Sequence, residues 1–468
     1  MISVLIYNSQ SKKKETFVSQ EKNVVRIYVC GPTVYDDAHL GHARSALAFD
    51  LLRRVFKALG YRVIFVKNFT DIDDKIIKKM QESGETLEAL TAHYIQSYKN
   101  DMQALGIEDA DIEPKATENL DNIIHYIEDL LAKDFAYVID DGVYFDVSRD
   151  EKYFSLSNRN VQDDQNQSRV ESNTQKRDPK DFALWKIYHD NSLTFDSPWG
   201  KGRPGWHIEC SAMINAHLAT KEAYQIDIHG GGADLLFPHH ENEACQSRCQ
   251  SGQELARYWM HNGFVQIDGT KMSKSLGNSF FLKDALKVYN GESLRFYLLS
   301  SHYRANFNFN EEDLIASQKR LDKLYRLKKR LGTEKTSAVS KSFKKEILES
   351  LSDDLNISAT LATLDIMIAS ANEHLDANPK DKALKYEINS NFAFIKEVLG
   401  IGTIETFKYF QLGISEEEIQ KIEARIKQRD EAKNERNYAL SDEIRDELLS
   451  QNIKIMDTPQ GTQWERGE

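Results

Sequence analysis

Two short strings, far apart, offer the most recognisable chemistry in this chain. His39-Leu40-Gly41-His42 puts two imidazoles where a strand and turn give way to a helical pattern. Imidazole donors at the positive end of a helix dipole suit a place where charge develops on phosphate oxygens. Gly41 lets the backbone approach closely. Far downstream, Lys271-Met272-Ser273-Lys274-Ser275 offers two lysines three apart, point charges able to clamp a triphosphate. Gly277 permits that loop to close. A lone histidine pair reads as a helix cap, and a lone Lys/Ser loop as a solvated turn. Together, in this order, they favour a nucleotide site built from His39, Gly41, His42, Lys271, Ser273 and Lys274.

A second group could hold a metal ion. In His239-His240-Glu241-Asn242-Glu243, His239 and Glu243 are four apart, on one face of a helix and able to coordinate jointly. Cys30 and Cys210 read as single cysteines at the ends of separate strands. Structural zinc sites use local Cys-x-x-Cys pairs, which this chain lacks, so ligands drawn from distant strand ends would serve function. Buried core thiols are the competing reading for both, and the reading adopted for Cys245 and Cys249.

These residues need a scaffold. Residues 24–31 read as a buried strand ending in the Gly31-Pro32 turn. Residues 43–59 carry apolar side chains at helical spacing and stop at Gly60. Residues 61–69 read as a second strand. Strand, helix, strand is a βαβ unit, which predicts a parallel sheet with the nucleotide at the carboxyl ends of its strands. Residues 119–205 interrupt that pattern with a helix, a strand pair around Val138 and Val143-Phe145, and a polar loop. Residues 205–243 read as short strands and turns, and the chain beyond 310 as long helices. Residues 420–449 read as one highly charged helix, followed by a turn at Pro459-Gly461.

A length of 468 residues predicts three or more structural units. No apolar run approaches the roughly 20 residues that span a bilayer, and Met1-Tyr7 lacks a secretory pattern, so a cytoplasmic location with no membrane partner is expected. The net charge of −12 argues against indiscriminate nucleic-acid binding. A local basic track remains at Lys319-Arg320 to Lys328-Arg330, and a solvated helix face is its plainer reading.

The two signatures resemble the HIGH and KMSKS strings of class I aminoacyl-tRNA synthetases, which use ATP to activate a carboxylate. Longer runs narrow the resemblance. Tyr28-Val29-Cys30-Gly31-Pro32-Thr33-Val34-Tyr35-Asp36, Asn68-Phe69-Thr70-Asp71-Ile72-Asp73-Asp74-Lys75 and Asp181-Phe182-Ala183-Leu184-Trp185-Lys186 are similar to segments of the cysteinyl-tRNA synthetase family. So are Gly202-Arg203-Pro204-Gly205-Trp206-His207-Ile208-Glu209-Cys210-Ser211-Ala212-Met213 and residues 227–243. The resemblance covers nearly the whole chain in the expected order. It implies one Zn2+ held by Cys30, Cys210, His239 and Glu243, and amino-acid contacts at Gly31, Thr70, Trp206, His229 and Asp234. It also implies ATP with Mg2+, L-cysteine and tRNA(Cys) as substrates.

Zinc suits such a substrate. An ordinary pocket separates near-isosteres by only about 10²-fold, whereas a metal converts the substrate thiol, of pKa near 8.5, into a bound thiolate. A difference of about 5 kcal/mol corresponds to selectivity above roughly 10³ over serine. Residues 119–205 are too short for an editing domain of the kind larger class I enzymes carry.

The resemblance further implies a Rossmann-like α/β catalytic domain, a helical bundle and a small anticodon-binding domain. The expected segments are 1–118 and 206–260 for the two catalytic halves, 119–205 for the insertion and 261–310 for the KMSKS-bearing link. The bundle covers 311–402 and the anticodon domain 403–468. Lys433, Tyr438, Asp442 and Asp457 match anticodon-reading positions, although the family often has arginine at the first and tryptophan at the second. Stacking survives the change to Tyr438, whereas a bidentate contact does not survive the change to Lys433. A monomer is expected. Two alternatives stand beside this reading. One is a cysteine-activating ligase for a small amine, as in mycothiol-pathway relatives, which lack a counterpart of 403–468. The other is an inactive tRNA-binding paralogue, against which every signature residue is intact.

Overall fold

A computed structural model describes residues 2–159, 175–189, 193–267, 270–271, 280–458 and 461–467, with the backbone alone at 267, 270 and 271. They form two compact units, one of Met1–Asp284, Leu298–Glu311 and Lys345–Ala362, the other of Ala285–Tyr297, Glu312–Lys344 and Thr363–Glu468.

The first unit opens with a hairpin of β1 (Leu5–Asn8) and β2 (Lys13–Thr16), followed by β3 (Val24–Val29), α1 (Leu40–Ala58) and β4 (Arg62–Lys67). β3 buries both its faces, as a strand inside a parallel sheet must. It pairs in parallel with β4, Val25 opposite Val63 and Val29 opposite Lys67. α1 buries Leu47, Leu51, Leu52, Val55 and Phe56, and Gly60 follows at φ 89°, a left-handed position that ends the helix. The βαβ unit expected over 24–69 is therefore present.

After α2 (Asp74–Ser83), α3 (Leu87–Ala104) and α4 (Leu120–Ala132), the insertion builds more than the expected strand pair. Its β5 (Ala136–Ile139), β6 (Gly142–Phe145), β7 (Phe182–Ile187) and β8 (Gly202–Pro204) form an antiparallel sheet in that order. Residues 206–217 then depart from the sequence reading. They form a helix, α5 (Trp206–His217), in which residues 208–214 are all buried. A helix covered on nearly every side has no polar stripe, so its 3.6-residue period is hidden. Cys210 accordingly lies inside a helix and not at a strand end.

β9 (Tyr224–Gly232), α6 (Glu241–Ser251) and β10 (Glu254–Asn262) complete a parallel sheet of order β10-β9-β3-β4. The chain extends this sheet from β3 to β4 on one side and to β9 and β10 on the other. The order therefore reverses between β3 and β9, where a crevice opens at the carboxyl ends of an α/β sheet. A smaller sheet joins β11 (Val265–Ile267), β12 (Thr270–Lys271) and β13 (Phe307–Phe309), with α7 (Leu282–Val288) and α8 (Gly291–Leu299) in between.

Beyond it the chain is helical as expected, in α9 (Glu311–Leu331), α10 (Lys341–Ser352), α11 (Ile357–Ala377), α12 (Lys382–Leu399) and the single turn α13 (Thr406–Tyr409). The segment read as one helix over 420–449 is two, α14 (Glu416–Asn434) and α15 (Tyr438–Ser450), broken where Arg436 takes φ 63°. Their apolar faces, through Ile422, Ile426, Ile444 and Leu448, cover Ile453 and Trp464 of the closing hairpin, β14 (Ile453–Thr458) and β15 (Gly461–Arg466). Among the described residues no helix is long and apolar enough to cross a membrane.

Within the first unit, Asp354 is a fully buried carboxylate. It accepts from the Tyr7 amide at 3.0 Å, the Tyr303 hydroxyl at 2.7 Å and Arg304 Nε at 2.9 Å, tying the first strand to residues 303–304. Asp354→Ala would strand all three donors. It should cost about 3–5 kcal/mol, read as an earlier first transition in urea, and an unshifted midpoint would refute this role.

Candidate active site

The crevice at the β3–β9 reversal gathers side chains from four strand ends and two helices. Cys30 follows β3, and its amide donates to the Gly230 carbonyl of β9 at 3.1 Å. α5 brings in Cys210, the turn before α6 brings His239, and the first turn of α6 brings Glu243. His239 and Glu243 therefore do not share one regular helix, since α6 begins at Glu241, yet their side chains still meet.

The donor atoms of Cys30, Cys210, His239 and Glu243 lie within 4.8 Å of one another. A tetrahedral Zn2+ site, with Zn–S about 2.3 Å and Zn–N about 2.05 Å, has edges of about 3.8 Å between sulfurs and about 3.5 Å between sulfur and nitrogen or oxygen. The observed Sγ–Sγ distance is 3.7 Å, Cys210 Sγ to His239 Nε2 is 3.6 Å, and Cys30 Sγ to Glu243 Oε1 is 3.7 Å. The edge from His239 Nε2 to Glu243 Oε1, at 2.9 Å, is shorter, a charge-assisted hydrogen bond. The donor set fits a thiophilic, tetrahedral ion.

The electrostatics match. Burial opposes ionisation of Glu243, but His229 and His239 outweigh it and bring the carboxyl down to about 2. Burial likewise opposes the His239 imidazolium, but Glu243 and Cys210 carry it up to about 10. The two sulfurs share one negative charge. The hydrogen bond from Cys30 brings Cys210 down to about 6, while burial and Cys210 push Cys30 well above the usual thiol range.

Three further histidines surround these four residues. Among the sequence candidates, His229 Nε2 lies 2.7 Å from Glu243 Oε2. His207 Nδ1 stands 2.9 Å from His239 Nδ1, and His240 approaches Cys30 Sγ at 3.4 Å. A relay runs from His240 Nδ1 to His261 Nε2 at 2.8 Å and from His261 Nδ1 to Ser9 Oγ at 2.8 Å. Burial and the neighbouring histidines hold His207 and His261 down to about 3. Sequence reasoning missed His261, whose only signal is its place near the carboxyl end of β10.

The other candidates line the same crevice to different degrees. The Trp206 ring stacks on His239 with centroids 4.1 Å apart, and its remainder is exposed. Gly31 donates its amide to Asn68 Oδ1 at 2.9 Å, and a Cβ there would lie 1.5 Å from the Asn68 carbonyl oxygen, so only glycine fits. Asn68 Oδ1 is also 3.9 Å from Cys210 Sγ, making Asn68 a second residue that sequence reasoning passed over. Buried Thr70 pairs with Thr33 across the two strand ends. Asp234 sits exposed on the turn after β9, and no hydrogen bond or ion pair ties it to the four ligand candidates among the described residues.

At the start of α1 the two signature histidines cap the helix reciprocally. His39 Nδ1 accepts from the Gly41 and His42 amides at 3.1 and 3.4 Å, and His42 Nδ1 accepts from the His39 amide at 3.3 Å. The rings stack 3.8 Å apart. With both Nδ1 atoms accepting, the ring proton of each neutral histidine belongs on Nε2, which sets both as Nε2–H donors. Lys271 is described only in its backbone, in β12, while Ser273, Lys274 and Gly277 lie outside the described residues. Leu40 donates to the Phe280 carbonyl and Leu282 to the Ala38 carbonyl. The residues following the second signature are thus hydrogen-bonded to both sides of His39.

A separate cluster forms in the second unit. Asp457 accepts from Arg429 at 2.9 and 3.1 Å and from Lys433 at 2.8 Å, and these cations hold its carboxyl well below the usual range. Asp442 lies on α15 close enough to act on Arg429 electrostatically, and Tyr438 is exposed on the first turn of the same helix. Arg429 had no distinguishing signal in a helix already dense in charge.

Residues 16–319 match the family model for the class I (C) tRNA synthetase catalytic domain. A cysteine–tRNA ligase of Nitratiruptor sp. is 62% identical over 466 residues, spanning 99% of this chain and 100% of its own. The chain belongs to the cysteinyl-tRNA synthetase family. Another family member, the cysteine–tRNA ligase of Helicobacter pylori strain P12, is 57% identical over 467 residues, 99% of this chain and 100% of its own. The class I fold extends beyond the family. Mycobacterium tuberculosis methionyl-tRNA synthetase bound by methionyl-adenylate aligns with a TM-score of 0.61 over 80% of this chain and 92% of that one, at 12% identity.

Metal uptake at the four ligand candidates should carry a proton signature. At pH 7.5 His239 and Cys30 hold protons that a metal ion must displace, whereas Cys210 is already a thiolate, so about two protons should leave per ion. Because two protons are released per ion, each unit of pH lowered should weaken affinity by about a hundredfold. Zinc titration calorimetry in buffers of different ionisation enthalpy reads this directly, and a heat independent of buffer would contradict the assignment.

Proposed function

We propose that this chain activates L-cysteine with ATP and transfers the cysteinyl group to tRNA(Cys). The observation that carries the reading is the tetrahedral-edge spacing of two thiols, an imidazole and a carboxylate at the sheet reversal. The same sheet unit carries a paired-histidine helix cap. Cys30, Cys210, His239 and Glu243 would hold one Zn2+, which would bind the substrate thiol as a thiolate and disfavour the hydroxyl of serine.

The cysteine carboxylate attacks the ATP α-phosphate in line, forming a new C–O–P linkage as pyrophosphate departs with Mg2+. His39 and His42 donate from Nε2 to phosphate oxygens at the positive end of α1, with Gly41 allowing close approach. Lys271, Ser273 and Lys274 steady the leaving pyrophosphate. Gly31, Thr70, Trp206, His229 and Asp234 shape the amino-acid pocket, Trp206 as a wall and His229 by orienting Glu243. A terminal ribose hydroxyl of tRNA then attacks the cysteinyl adenylate and releases AMP.

In this reading residues 1–118 and 206–260 carry the chemistry, with 119–205 inserted between them. Residues 261–310 deliver the second signature, 311–402 form the bundle, and 403–468 read the anticodon. Asp457 serves there with Lys433 as a paired edge, Asp442 as an acceptor and Tyr438 as a stacking surface. The protein would act as a cytoplasmic monomer.

Pyrophosphate exchange with cysteine and with serine, followed by charging of a tRNA(Cys) transcript, tests the whole scheme. Charging with cysteine alone supports it, and a requirement for an aminosugar acceptor would sink it. Cys210→Ser should lower metal content and cysteine activation by more than tenfold while sparing tRNA affinity. Unchanged metal content and cysteine KM would remove Cys210 from the ligand set.

A further inference from the structure

Asn68, Thr70 and Glu209 form a chain of hydrogen bonds beside the ligand candidates, and its direction is fixed at one end. The Gly31 amide can only donate, and it donates to Asn68 Oδ1 at 2.9 Å. With that oxygen accepting, Asn68 Nδ2 is the donor toward Thr70 Oγ1, at 3.5 Å. Thr70 therefore accepts on that side. Its own proton goes to Glu209, with which it shares a side-chain hydrogen bond. A hydroxyl carries one proton and two lone pairs. Asn68 meets one lone pair and Glu209 holds the proton, so one lone pair is left over. The chain lies where the crevice opens, since Thr70 pairs with Thr33 across two strand ends and Asn68 Oδ1 is 3.9 Å from Cys210 Sγ.

Glu209 is costly where it stands. It is 1% exposed, precedes Cys210 on α5, and its Oε2 has no hydrogen-bond partner among the described residues. A carboxyl oxygen buried without a partner opposes folding. The acids nearest to it are spent otherwise. Asp71 accepts from the Thr117 amide and hydroxyl at 3.0 and 2.5 Å, and Asp73 caps α2 through the Lys75 amide at 2.8 Å. Glu243 is divided between His229 and His239.

We infer that Glu209 is a positioning residue for the α-ammonium of the substrate: it takes up the Thr70 proton, so that Thr70 meets the ligand as an acceptor. The inference rests on the cysteine-activating reading above. An ammonium only donates and suits the remaining lone pair, whereas a carboxylate only accepts and finds no donor there. With the thiol held among the four ligand candidates and the ammonium at Thr70, the carboxylate is the free end of the substrate. A plain support for α5 would use the same contact, but its loss would loosen the helix whatever ligand is bound. The two readings part on which ligand suffers.

Calorimetric binding to the zinc-loaded full-length protein compares cysteine with 3-mercaptopropionate, which keeps the thiol and carboxylate but lacks the ammonium. Glu209→Leu should weaken cysteine about tenfold and leave 3-mercaptopropionate within about twofold. Thr70→Val should do the same, and the double variant should add little, because both remove one contact. Glu209→Gln, which keeps an acceptor oxygen, should retain the wild-type ratio of affinities. Metal content by atomic absorption should not change in any variant. Equal weakening of both thiols in Glu209→Leu, or loss of metal with it, would overturn the assignment. So would an unchanged ratio in Thr70→Val, which decides the matter if the leucine variant does not fold. A wild type that binds neither thiol would defeat the cysteine-activating reading and this assignment together.

Discussion

A carboxylate and an imidazolium sealed from water are unstable apart, and each ion costs several kcal/mol to bury without compensation. In this fold Glu243 escapes that penalty only because its two oxygens are divided, one toward His229 at 2.7 Å and the other toward His239 at 2.9 Å. That division constrains much else. It sets the position of α6 relative to β9, because His229 sits on the strand and Glu243 on the helix. It turns His239 toward Cys210, and through Cys210 it fixes the depth of α5. A buried charge pair of this kind is weak evidence for stability, but it specifies one arrangement of the elements that bear it. The same arrangement brings two sulfurs, a nitrogen and an oxygen together, with the sulfur edges close to those of a tetrahedral ion.

The sheet reversal explains why such a group can assemble from residues so distant in sequence. Strands that leave β3 in opposite directions cannot close the space above their carboxyl ends, so side chains from β3, β4, β9 and β10 all look into one crevice. The helix dipole of α1 and the reciprocal His39–His42 cap lie on the loop that leaves the same central strand. Residues 280–282 are hydrogen-bonded on both sides of His39, tying the segment that leads into α7 to the start of α1.

How much of this could be read from the amino acids depended on whether burial left a pattern. The βαβ unit was legible because β3 and β4 are short apolar runs bounded by turns, and α1 keeps a polar side. The helix α5 was not, because its surroundings cover it all round and erase the polar stripe, and Cys210 was therefore placed on a strand. The four ligand candidates could be named from residue type, yet His261 and Asn68 could not. A single polar residue at a strand end acquires meaning only when the sheet order brings that end to the crevice. The break between α14 and α15 was hidden for a different reason. Arg436 adopts a left-handed conformation without being glycine, and the charged sequence on both sides reads as unbroken helix. Arg429 became visible only through its bidentate contact with Asp457.

The insertion shows what this arrangement makes possible. In sequence, residues 119–205 merely interrupt the catalytic fold, at a length too short to suggest an editing domain of the kind larger class I enzymes carry. In the structure, Ile123, Phe145, Leu184 and Trp185 share one apolar core with Ile208 and Ala212 of α5 and with Cys245 and Cys249 of α6. Those two helices are the ones that carry Cys210 and Glu243. Cys245 and Cys249, free thiols close in sequence to the ligand candidates, belong to this buttress and lie buried within it. In the proposed reading, discrimination by a metal precedes activation and places its demand on geometry: a ligand displaced by about half an ångström would weaken an ion held there. Packing the insertion against both ligand-bearing helices is an architecture that meets this demand.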